Sequence, residues 1–111
     1  MTQGLDAEVA LRALAHPGRR QMLQLVWDGE RSSTDLADRC GLSKPAASQH
    51  LKVLREAELV TVRVDGTRRL YRARAERLAE LQAFLDDFWG TRLEALRAAV
   101  ESTGPSTRTP R

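Results

Sequence analysis

Apolar residues recur along this chain at helical spacing, then in strict alternation, then at helical spacing again. Between Leu5 and Leu14 they stand at 5, 7, 9, 10, 11, 13 and 14, which predicts a short helix buried on more than one side. His16-Pro17-Gly18 breaks it, and Pro17 suits the first turn of a second helix, Gly18 to Trp27. There Met22, Leu23, Leu25 and Val26 face a core while Arg19 and Arg20 stay in water, and Asp28-Gly29-Glu30 closes the helix. Ser32 or Ser33 can cap a third helix, with Leu36 and Ala37 as its buried side and Gly41 supplying the positive φ that ends it. Ser43 caps a fourth helix, Pro45 is tolerated in its first turn, and the stripe Ala47, Leu51, Leu54 pins it to the core.

From Leu59 to Ala73 the period drops to two, on either side of Asp65-Gly66, the signature of a hairpin. A two-residue loop pairs Val64 with Thr67, and a three-residue loop with a bulge pairs it with Arg68. The second matches Val62 with Leu70 and buries more, so it is the expected register. Glu76 to Glu101 then forms a long helix with an apolar stripe whose spacing slips between Phe88 and Leu93, which excludes a strict heptad zipper. A helix this apolar at the end of a small domain calls for a partner surface. The simplest partner is a second copy, with Leu5, Val9, Leu78, Leu81, Leu85, Phe88, Trp89, Leu93 and Leu96 at the interface; packing back onto its own domain is the alternative. Ser102 to Arg111 lacks apolar residues and reads as a disordered tail.

Five helices with a hairpin after the fourth make a mainly α winged helix-turn-helix, one domain over 1–101 followed by the tail 102–111. The 111 residues, 41% hydrophobic, suffice for one modest core. Net charge is only +3, but its distribution is uneven: Ser43 to Ala75 carries eight Lys/Arg against three Asp/Glu, and Glu76 to Glu101 three against six. A basic helix and hairpin are the footprint expected for a phosphate backbone, whereas the bland reading is a solvated face. At 100° per residue, the face of the fourth helix opposite its core stripe holds Pro45, Gln49, Lys52 and Glu56, flanked by Lys44 and Ser48. Gln49 and Lys52 are placed to enter a major groove of double-stranded DNA, because Gln pairs with the adenine edge and Lys reaches guanine or phosphate. Ser43 and Ser48 suit phosphates near the helix N-terminus. On the wing, Arg63, Arg68, Arg69 and Arg72 can neutralise phosphate or enter a minor groove, or else serve as a solubilising edge. His50 lies off the exposed face and reads as a packed, hydrogen-bonded histidine.

Three motifs, ALAHPGRRQMLQLV (13–26), DLADRCGLSKPAASQHLKVLREAELV (35–60) and VDGTRRLYR (64–72), resemble the ArsR/SmtB family of winged-helix repressors, the likeness running from Leu11 to Val100. The resemblance implies a homodimer formed through the first and last helices, operator binding, and repression that an effector often relieves. Metal sensors of that family use a Cys-x-Cys pattern at the start of the third helix, or Asp and His on the last helix. Here Ser32 to Asp38 holds no cysteine and Glu76 to Glu101 no histidine. No metal and no cofactor is therefore expected, and the effector is unknown. The single cysteine, Cys40, reads as a small buried side chain, since redox sensing needs a lowered thiolate pKa.

These residues do not suit an enzyme: the chain has no phosphate-binding Gly-rich loop, no metal-ligand pair and no nucleophile near a base. No apolar run is long enough to span a membrane, and Asp6 and Glu8 stand where a secretory signal wants positive charge, so a soluble, cytoplasmic protein is expected. The leading expectation is a homodimeric, sequence-specific repressor on an inverted repeat, its recognition helices roughly 34 Å apart. The alternatives are a metal- or redox-responsive repressor of the same family, and a winged helix used for protein–protein assembly.

Overall fold

Each of the first four helices begins where a side chain takes up a free backbone N–H. In the computed structural model, which describes residues 4–103, α1 (Ala7–Ala13) starts at Asp6, whose carboxylate accepts from the Val9 N–H at 3.2 Å. The helix is therefore shorter than its apolar pattern, and Leu5 stands outside it. At its other end Arg19 Nε and Arg20 Nη1 donate to the Ala13 and Leu14 carbonyls at 2.7 and 2.8 Å. Two arginines expected only to sit in water thus close the first helix.

His16 caps α2 (Pro17–Leu25) through Nδ1, which accepts from the Gly18 N–H at 3.0 Å. Ser32 caps α3 (Ser33–Cys40), and Ser43 caps α4 (Lys44–Glu56). Gly41 takes φ +66° as expected, and the Leu42 N–H reaches back to the Ala37 carbonyl, a Schellman ending. Helix α4 ends the same way without a glycine. Glu58 takes φ +64°, with the Leu59 N–H on the Leu54 carbonyl and the Glu58 N–H on that of Arg55.

Strands β2 (Val60–Asp65) and β3 (Arg68–Ala73) form the wing, and β1 (Arg31–Ser32) pairs with the far edge of β3, giving the order β1-β3-β2. Two residues are too short to show alternation, so β1 has no sequence signal. The expected register is corrected: Val62 faces Tyr71, Val64 faces Arg69, and Asp65 faces Arg68, so the loop is Gly66-Thr67. Gly66 takes φ +65°, the conformation a two-residue primed turn requires at its first central position. Burial explains the choice. Central strand β3 buries both Leu70, opposite Ser32, and Tyr71, opposite Val62, so the two faces of the sheet are each covered and the bulged alternative gains nothing.

Helix α5 (Ala75–Thr103) follows directly. The chain divides into two units, one running to Leu81 and one from Gln82 onward. The first holds the core, with Met22, Val26, Leu36, Leu51, Leu54 and Leu59 almost wholly out of water. Truncating any of the leucines to alanine costs about 2–5 kcal/mol. Leu81 is also buried there, and Leu78 and Leu5 half-buried, so Leu81 is a core residue of its own chain before it is anything else. Arg77 anchors the start of α5: Nη1 donates to Glu80 at 3.1 Å, and Nε lies 2.9 Å from Glu58 but off the hydrogen-bond direction. Glu80 also accepts the Leu5 N–H at 2.9 Å. In the second unit Phe84, Phe88, Trp89, Leu93, Leu96 and Val100 are exposed, Phe84 stacks on Phe88, and Arg92 sits over the Phe88 ring. Ser102 and Thr103, expected in the tail, are the last residues of α5; residues 104–111 lie outside the described part.

Candidate nucleic-acid interface

The caps fix how α4 is presented. Ser43 Oγ accepts the Ala46 N–H at 3.2 Å, Pro45 occupies the first turn where no N–H is needed, and Ala47, Leu51 and Leu54 are buried. The opposite face is open: Lys44, Pro45, Ser48, Gln49 and Lys52 are all exposed, as are Arg55 and Glu56 one turn further on. His50 lies between the two faces. Its ring centroid is 4.5 Å from that of His16, and Nδ1 is 3.4 Å from Arg19 Nη1. Burial, then the neighbouring His16 and Arg19, hold its pKa below the ordinary value, which keeps it a neutral packing group.

The register splits the wing arginines between two faces. Arg69 follows Val64 and Tyr71 to the side of α4, where it shares a groove with Ser48, Lys52 and Arg55. Arg63, Arg68 and Arg72 lie on the other side. There Glu30 takes Arg63 in a two-bond ion pair, and that hydrogen bonding, opposed by burial and aided by the charges of Arg63, Arg72 and Arg68, holds the Glu30 carboxyl below the usual range. The four wing arginines are therefore not one cluster, and one of them is already engaged.

The pairing of cations sorts the surface. Arg12, Arg31, Arg39, Arg63, Arg74, Arg77 and Arg97 form ion pairs with carboxylates, while Arg19, Arg20 and Arg92 donate to backbone carbonyls. Among the described residues, the side chains of Lys44, Lys52, Arg55, Arg68, Arg69 and Arg72 form neither a hydrogen bond nor an ion pair. All six stand on α4 or the wing. A cation left without a carboxylate needs to break no ion pair before it meets an external anion.

The model of the family described as "Bacterial regulatory protein, arsR family" matches residues 16–62, from the cap of α2 into β2. A transcriptional regulator of Mycobacterium tuberculosis, Rv2034, is 40% identical over 88% of this chain and 92% of its own length. The chain belongs to the arsR family. An arsenical resistance operon repressor of Staphylococcus xylosus is 36% identical over 73% of this chain and 78% of that protein. Among solved structures, the homodimeric winged helix-turn-helix DNA-binding domain of Mb0332 from Mycobacterium bovis superposes with a TM-score of 0.63 at 31% identity, covering 79% of this chain and 89% of the other. This arsR-family member is accordingly a winged helix-turn-helix transcriptional regulator, not an enzyme. The described residues hold no group of three or more His, Cys, Asp or Glu able to bind a metal ion, and no helix among them is long and apolar enough to cross a membrane. Burial pushes the Cys40 thiol up, away from the reactive range. Arg55 is the residue that sequence reasoning missed: it continues the row Ser48, Lys52 at i+4 and i+7, a signal that the search for the face directly opposite the core stripe passes over.

Proposed function

We propose that the protein is a homodimeric, cytoplasmic repressor that binds an inverted-repeat operator, with Gln49 and Lys52 reading bases in the major groove. Ser43, Lys44, Pro45 and Ser48 approach the phosphates beside the N-terminus of α4, and the wing arginines 68, 69 and 72 meet the backbone on either side. The observation that carries this reading is the set of unpartnered cations confined to α4 and the wing. Arg63 joins them only by leaving Glu30. The dimer forms through α1 and α5, with Val9 on the first and Leu85, Phe88, Trp89, Leu93 and Leu96 on the second; exposed aromatic rings on a charge-poor helix face support it.

The relative named for arsenical resistance supplies no ligand set for this chain. Its one cysteine cannot provide several thiolates from a single protomer, and Asp86 and Asp87 alone suit soft or borderline metals poorly. Control by an unidentified ligand, a partner protein or autoregulated abundance fits these residues better. Replacing Gln49 with alanine tests the reading: on a panel of operator duplexes with single base changes, discrimination at one position per half-site should fall by about 1–3 kcal/mol. Unaltered discrimination at every position would remove Gln49 from base reading.

A further inference from the structure

Between α4 and β3 lies a groove of about 350 Å³ that Gln49 does not line. Ser48, Lys52 and Arg55 descend one wall on a single helical row, and Arg69 stands opposite because Val64 and Arg69 share a register position. Ser33, the first residue of α3, adds a hydroxyl at one end, and buried Tyr71 closes the floor. Three cations thus converge where the only carboxylate is that of Glu56. None of the three side chains makes an ion pair or hydrogen bond among the described residues. Three like charges brought together with one carboxylate among them leave a net positive groove that favours an anion arriving from outside.

We infer that this groove seats one backbone phosphate of each operator half-site, held jointly by Arg55 and Arg69. The inference rests on the DNA reading above and adds a division of labour to it. Gln49 faces away from the groove and selects sequence, whereas Arg55 and Arg69 tie the recognition helix and the wing to the same phosphodiester and fix the register in which Gln49 reads. A planar guanidinium on each side suits the tetrahedral oxygens of a phosphate better than a base edge.

The test is a charge-removal cycle measured by fluorescence anisotropy. Wild type, Arg55→Gln, Arg69→Gln and the double variant are titrated with operator duplexes in which single phosphates are replaced, one at a time, by uncharged methylphosphonates. Wild type should lose affinity at one phosphate near the α4–wing junction of each half-site, and the double variant should be indifferent to that replacement. With unmodified DNA, the slope of log affinity against log salt should fall by about 1 per half-site in the double variant. A double variant as sensitive as wild type at every phosphate, or a slope that falls by about 2 per half-site because each arginine meets its own phosphate, overturns the seat. Wild type that binds no duplex in a salt-dependent way overturns the DNA reading along with it. Both side chains are exposed and unpartnered, so circular dichroism should show all variants folded.

Discussion

Glu30 grips Arg63 by two parallel hydrogen bonds, Nη2 to Oε1 at 2.7 Å and Nε to Oε2 at 2.9 Å, across the outer face of the wing. An arginine held in this way differs from its free neighbours, and the difference is measurable. Replacing Arg68 with alanine should make the salt slope of DNA binding shallower by about 1 per half-site, while Arg63→Ala should leave it nearly unchanged. Glu30→Gln should tighten binding by releasing Arg63 and removing a negative charge beside Arg68 and Arg72. Equal losses from Arg63→Ala and Arg68→Ala would show that Arg63 abandons Glu30 on DNA.

The packed pair His16 and His50 predicts a pH dependence. His50 binds its proton less tightly in the folded protein than its ordinary value of 6.5, because burial, His16 and Arg19 all oppose the charge. Between the lowered folded value and 6.5 the unfolded chain therefore carries more protons, and stability rises with pH through that window. Thermal unfolding followed from neutral pH down to about pH 5 should show the midpoint falling, and His50→Gln should flatten the fall. A wild-type midpoint that climbs on acidification would contradict this environment.

Gly66 carries the turn of the wing at φ +65°. A side chain there meets no neighbouring atom within 4 Å, so the cost of Gly66→Ala is conformational and should be roughly 1–2 kcal/mol. Urea unfolding measures it. A neutral outcome would mean that the loop moves to another two residues.

Leu81 and Phe88 separate folding from assembly. Leu81 is only 6% exposed and Phe88 is 49% exposed. Leu81→Ala should destabilise the chain by about 2–5 kcal/mol. Phe88→Glu should leave the fold of the first unit intact and shift the protein toward monomer in sedimentation velocity. Dimers unaffected by a carboxylate at 88 would place the interface elsewhere.

Most of the helical frame was legible because its signals are local. Ser43 ahead of Lys44-Pro45, Gly41 after Cys40, and the stripe Ala47, Leu51, Leu54 each fix a boundary or a buried face from residues within a few turns. The strand register was not legible, since it depends on β1, a two-residue strand whose pairing with Leu70 and Tyr71 buries the face that a free hairpin would leave wet. The same non-local cause split the wing arginines: nothing near Arg63 in sequence announces Glu30, thirty-three residues earlier. Leu81 reads in the sequence as one more member of the α5 stripe, and only the tertiary packing of the first unit sets it apart from Phe88. Arg55 was passed over because helical rotation ranks residues by angle from the core and is blind to the strand that faces them.

The central claim, that α4 and the wing read operator DNA, is tested most directly by anisotropy of the purified protein on its own upstream promoter fragment against a scrambled duplex, over a series of salt concentrations. A preference for the promoter of about a thousandfold or more, with affinity falling steeply as salt rises, is the predicted result. Equal, weak binding to both duplexes, extending to every fragment recovered in a genome-wide search for bound DNA, would contradict it.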